Sequence, residues 1–113
     1  MKKDDRVYLR HILDAIHRIQ EYLAGVSYDQ FSQNHLLQDG VVRQLEIIGE
    51  AARNLSPSFE SAHPELPWTK MIGIWNRLIH AYFEINVRIV WDTVQDDLPP
   101  LEAQVAHILE KMA

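Results

Sequence analysis

Asn34-His35-Leu36-Leu37-Gln38-Asp39-Gly40-Val41-Val42-Arg43-Gln44-Leu45-Glu46-Ile47-Ile48-Gly49-Glu50-Ala51-Ala52-Arg53-Asn54-Leu55 is the stretch that decides the fold. Its apolar positions Leu37, Val41, Leu45, Ile48, Ala52 and Leu55 recur in steps of three or four. That is the period of one face of an α-helix and not the alternation of a strand. Asn34 is a good cap at the start, and Ser56-Pro57 ends the run. Gly49 stands mid-helix, where glycine costs about 1 kcal/mol relative to alanine, so close packing against another helix is expected there.

Helical patterning extends to both sides. Upstream, Asp4 or Asp5 caps a helix running to about Ala24, with Val7, Ile12, Leu13, Ile16, Ile19 and Leu23 inward and Lys3, Arg10, His17 and Glu21 outward. Gly25 closes it, and Ser27 opens a short turn that Tyr28 and Phe31 pin to the core. Downstream, Ser58 to His63 adds one more turn. Thr69 caps a helix from about Lys70 to Tyr82, Asn86 caps another from Val87 to about Val94, and Leu98-Pro99-Pro100 begins the last. The expectation is an all-α, antiparallel bundle of four or five helices forming a single domain over residues 1–113.

Composition agrees. Hydrophobic residues make up 47%, enough for a core, while only 4 glycines and 5 prolines interrupt the chain. Cysteine is absent, which excludes disulfides, thiolate metal sites and a cysteine nucleophile. The formal net charge of -5 argues against a general nucleic-acid binder, which needs a basic surface, but leaves room for a local cationic cleft. Met1-Lys2-Lys3-Asp4-Asp5-Arg6 does not read as a secretory signal, and no apolar run is long enough to span a membrane. A cytoplasmic protein without a membrane partner is expected.

Reactive groups concentrate in Trp75-Asn76-Arg77-Leu78-Ile79-His80-Ala81-Tyr82. On a helix, Asn76 and Arg77 lie four and three residues before His80, so the three side chains share a face. His80 can exchange a proton, Arg77 can neutralise a phosphate, and Asn76 can orient either by hydrogen bonding. Metal-independent RNA cleavage asks for such a set: a base for the 2′-hydroxyl, a cation for the phosphorane, an acid for the leaving oxygen. The plainer reading of an Arg/His face is solvated surface, with His80 near a helix C-terminus. His11, His17, His35 and Asp39 have no partner at metal-ligand spacing. Arg43 and Glu46 read as an i,i+3 contact, and the Glu46/Glu50 pair lacks the second Glu-x-x-His helix of a carboxylate metal site. Trp68, Trp75 and Trp91 read as core or interface anchors. Neither a metal nor another cofactor is expected.

Asp4-Asp5-Arg6-Val7-Tyr8-Leu9-Arg10-His11-Ile12-Leu13-Asp14-Ala15-Ile16, Val42-Arg43-Gln44-Leu45-Glu46-Ile47-Ile48-Gly49-Glu50-Ala51-Ala52, Asn76-Arg77-Leu78-Ile79-His80-Ala81-Tyr82-Phe83, Ile89-Val90-Trp91-Asp92-Thr93-Val94 and Leu98-Pro99-Pro100-Leu101 occur in this order. Together they resemble the HepT-like branch of the HEPN superfamily over nearly the whole chain. The resemblance implies a small helical domain that dimerises. It also implies an RNase acting as the toxin of a toxin–antitoxin pair, with RNA (transfer or messenger) as substrate and a minimal nucleotidyltransferase antitoxin as partner. The family motif is R-x4-H-x-Y with a polar residue after the arginine. His80, Tyr82 and Asn76 match it, and the resemblance makes Tyr82 the acceptor of AMP from the antitoxin.

The motif arginine falls at position 75, and the residue there is Trp75. Indole offers one N–H donor and no charge, so it cannot neutralise a phosphate. Arg77 is a possible substitute, although it lies about 160° around a helix from position 75. Three readings stay open: a natural member with weakened or lost activity, rescue by Arg77, or a substitution that disarms the site. A two-fold axis placing two copies of Asn76, His80 and Tyr82 in one cleft would complete an acid/base set. The alternative function is a non-catalytic interaction module that binds a nucleotidyltransferase partner or nucleotide.

Overall fold

The computed structural model describes residues 4–67, 71–73 and 86–112. Among them there are six α-helices and no strand: α1 (Asp5–Leu23), α2 (Tyr28–Ser32), α3 (His35–Arg53), α4 (Pro57–Ala62), α5 (Val87–Asp92) and α6 (Leu98–Met112). Residues 71–73 add a further helical turn. The chain is an all-α bundle.

Each helix from α1 to α5 begins where its sequence places a capping oxygen. The Asp4 carboxylate accepts the Arg6 N–H at 3.0 Å, and the Arg6 guanidinium turns back onto it at 3.2 Å. These two contacts, side chain first, hold the Asp4 carboxyl below its ordinary value. Ser27 and Gln30 form a reciprocal capping box on α2. Asn34 caps α3 and Asn86 caps α5, each through its Oδ1 at 3.1 Å. Gly25, with φ +73, ends the α1 turn in the left-handed region that a side chain would resist.

The core lies between α1 and α3, with α6 laid along α1. Leu9, Ile12, Ile16 and Ile19 from α1, Val41 from α3 and Val105 from α6 are fully buried. Of the expected inward set on α1, Val7 is a correction: it is 46% exposed, and Leu9 takes its place. At 100° per residue Val7 lies about 160° from the centre of the stripe defined by Leu9, Ile12, Ile16, Ile19 and Leu23. Gly49 is buried. At Gly40, on the same helix, an added Cβ would stand 3.3 Å from the Tyr22 ring of α1. Gln38 is a buried polar side chain made tolerable by its bond to the Phe31 carbonyl at 2.9 Å.

Phe31 is fully buried, and Trp91 packs 5.4 Å from it and 5.7 Å from Tyr28. Trp91 is therefore the core anchor its sequence suggested. Trp68 and Trp75 lie outside the described residues.

The last two helices differ from expectation. They are not separated by a break: a π turn, Thr93–Asp97, joins α5 to α6, with the Leu98 N–H bonded back to the Thr93 carbonyl. Pro99 and Pro100 supply the cause. A proline has no N–H for the carbonyl four residues back, and its ring collides with that carbonyl in a regular α-helix. Widening the turn by one residue relieves the collision and keeps the helix running.

Ser56 ties the start of α1 to α4. Its hydroxyl accepts the Phe59 N–H at 3.1 Å and donates to Asp5 Oδ2 at 2.8 Å, while its N–H reaches Asp5 Oδ1 at 2.8 Å. Ser56→Ala removes a cap and one of two bonds to a half-buried carboxylate. A loss of about 1–2 kcal/mol is expected, read as a lower urea midpoint. An unchanged midpoint would mean that water replaces the hydroxyl fully.

Candidate functional site

The expected site residues Trp75, Asn76, Arg77, His80 and Tyr82 lie outside the described residues, as do Thr69 and Lys70. The described chain fixes the two ends of the segment that bears them. At the upstream end Met71 is buried, and its N–H bonds the Pro67 carbonyl at 3.0 Å, the i→i−4 bond of a helix. At the downstream end Asn86 caps α5, whose Arg88 lies 4.7 Å over the Tyr28 ring and pairs with Asp92 at 3.2 Å. The described chain is thus held before this segment by the helical turn at Met71 and after it by the capped start of α5.

Two features support the upstream anchor. The loop before it is held by His63 Nδ1 against Glu65 Oε1 at 3.1 Å, by the His63 ring 4.5 Å from Phe59, and by Gln104 Nε2 donating to the Glu65 carbonyl at 3.3 Å. Glu65 is held below the ordinary carboxyl value, first by its own main-chain N–H and then by His63. Beneath the anchor is a small cavity of about 30 Å³ between α3, Pro67, Met71 and the π turn. Such a space suits a single water at most.

The other candidate groups are placed as solvated or structural contacts. His11 stands edge-on to Tyr8 at 6.0 Å, and His35 and Asp39 are exposed. Arg43 and Glu46 form the expected i,i+3 pair at 3.5 Å, and Glu50 is exposed. No group of histidines and carboxylates among the described residues is arranged to hold a metal ion. No helix among them is long and apolar enough to cross a membrane.

Some contacts have no signal in local spacing because their partners come from distant helices. Glu102 of α6 receives His17 Nε2 at 3.0 Å and Gln20 Nε2 at 3.2 Å, both from α1. Asp5 with Ser56 is of the same kind.

The family described as ribonuclease HepT-like matches residues 12–108. A protein of Caldanaerobacter subterraneus subsp. tengcongensis, described as a candidate RNase, is 42% identical over 109 residues, covering 96% of this chain and 97% of its own. The probable ribonuclease HepT of Thermococcus cleftensis is 40% identical over 104 residues, covering 92% of this chain and 94% of its own. A Methanocaldococcus jannaschii protein, described as a gamma-glutamylcyclotransferase and candidate RNase, is 37% identical over 112 residues, which is 99% of this chain and 50% of that protein. No solved structure matches the chain.

Proposed function

The chain belongs to the ribonuclease HepT-like family, and on that premise we propose that it is a metal-independent endoribonuclease whose activity is weakened by Trp75. The observation that carries this reading is the run Asn76-x3-His80-x-Tyr82 inside a family match that spans almost the whole chain. His80 removes the proton of an RNA 2′-hydroxyl, and the oxygen attacks the adjacent phosphorus. Breaking the bond to the 5′-oxygen leaves a cyclic phosphate and, once that oxygen is protonated, a 5′-hydroxyl. Asn76 orients the groups, and Arg77 supplies the cation that position 75 lacks. A two-fold dimer brings the second His80 to serve as the acid.

The same reading makes the protein the toxin of a pair, with a minimal nucleotidyltransferase as antitoxin. That partner attaches the phosphorus of AMP to the Tyr82 hydroxyl, expelling pyrophosphate from ATP. The anionic adduct repels an RNA phosphate and fills the cleft. Incubation with such a nucleotidyltransferase and ATP is expected to add one AMP at Tyr82, located by peptide mass spectrometry, and none to Tyr82→Phe. Equal labelling of the Tyr82→Phe variant would place the modification elsewhere.

Trp75 itself favours a second reading, a non-catalytic module that binds a nucleotidyltransferase or nucleotide without cutting. Cleavage of total or transfer RNA in EDTA separates the two. A cleaving protein that His80→Ala silences is the enzyme, and a protein inert even as Trp75→Arg is the module.

A further inference from the structure

Arg88 stands where helix physics does not favour an arginine. It is the second residue of α5, close to the positive end of the helix dipole. Its ion-pair partner Asp92 follows it by four residues, the weaker order for such a pair, and both side chains face water, at 63% and 48% exposed. The contact that accounts for it comes from another helix: its guanidinium lies 4.7 Å over the Tyr28 ring of α2.

That ring is held from below. α2 has five residues, too few to persist as a helix by itself. Gln38 of α3 donates to the Phe31 carbonyl at 2.9 Å, and Phe31 is fully buried. Trp91 of α5 packs 5.4 Å from Phe31 and 5.7 Å from Tyr28. α5 therefore meets α2 at two places about one turn apart, Trp91 half-buried and Arg88 at the exposed edge. On Trp91 alone α5 could rotate about its own axis; the second contact resists that rotation.

The start of α5 is also where the chain arrives from the motif. Three residues stand between Tyr82 and Asn86, so the covalent chain holds Tyr82 within about 14 Å of Asn86 whatever its path. We propose that Arg88 is a positioning residue: stacked on Tyr28, it fixes the rotation of α5 and with it the point to which the chain bearing His80 and Tyr82 is tethered. The catalytic half of this inference rests on the proposed RNase function; the docking of α5 on α2 does not. A misplacement of about 1 Å at a reacting group can lower a rate by about 10²-fold.

The test is made on the whole protein and in the Trp75→Arg background, with Arg88→Gln, Tyr28→Leu, the ring-conserving Tyr28→Phe, and Arg43→Gln as control. The Ile89 and Val90 amides, each bonded to Asn86 at 3.1 Å, report on the start of α5. Their exchange should quicken about two- to fivefold in Arg88→Gln and Tyr28→Leu, while α1 and α3 keep their protection. Combining those two substitutions should add nothing beyond Tyr28→Leu, since both break one contact. Tyr28→Phe and Arg43→Gln should exchange like the parent. In the background that cleaves RNA, kcat should fall about tenfold in Arg88→Gln with KM within about twofold, and Tyr28→Phe should keep the full rate. If Tyr28→Leu does not fold, Arg88→Gln carries both readouts. Unchanged exchange at Ile89 and Val90 in Arg88→Gln overturns the proposal whether or not RNA is cut. Faster exchange with an unchanged kcat also overturns it, and a raised KM alone would make Arg88 an RNA contact instead. If no background cleaves RNA, the functional reading falls, and the exchange result alone decides the docking.

Discussion

Trp75→Arg is expected to raise the rate of RNA cleavage by about 10²–10³-fold, the range lost when one preorganised donor to a developing anion is removed from an active site. The cause is electrostatic. The pentacovalent phosphorane gathers negative charge that the ground state does not have, and a guanidinium presents charge and a planar fork of N–H donors to it. Trp75 presents a single neutral N–H. Arg77 is two residues along and, on the predicted helix, reaches the cleft from another side. It can sustain a low rate without replacing the missing contact. The check is the initial rate of transfer-RNA cleavage by parent and variant at equal protein concentration. An unchanged rate would mean that position 75 faces no reacting phosphate, which the non-catalytic module also predicts.

His80→Ala should abolish that gain. General acid–base catalysis is worth about 10²–10⁴-fold, and in the proposed two-fold dimer one substitution removes both the proposed base and the proposed acid. The double variant should therefore fall to the rate of buffer alone, while its unfolding midpoint stays close to that of Trp75→Arg. Retention of cleavage in the double variant would remove His80 from the mechanism.

Much of the fold was legible because local rules govern it. Asn34, Ser27 and Asn86 announce their helices by short-range bonds to main-chain N–H groups, and the period of Val41, Leu45, Ile48 and Ala52 fixes the buried face of α3. The inward set on α1 differs from the sequence pattern at Val7, because near a helix start several stripes fit one sequence, and in the folded chain Leu9 is the buried residue. The π turn is not legible in the sequence for a related reason. Pro99-Pro100 reads equally well as a helix start or as a kink in a continuing helix, and the packing of Leu98, Leu101 and Val105 against the core decides. Of the candidate site, the motif was legible as a pattern of residue types. The link from Gln104 to the Glu65 carbonyl, which holds the loop before Met71, was not, since its parts lie far apart in the chain and meet only through packing. The same holds for Glu102, which joins His17 and Gln20 across two helices.

One measurement bears most directly on the account. Purified, unmodified Trp75→Arg protein is incubated with transfer RNA in EDTA beside the His80→Ala/Trp75→Arg double variant, and products are resolved by length and end group. Discrete fragments ending in a cyclic phosphate from the first protein and none from the second are the predicted result. Intact RNA from both, with the fold preserved, would contradict the ribonuclease reading and leave the binding module in its place.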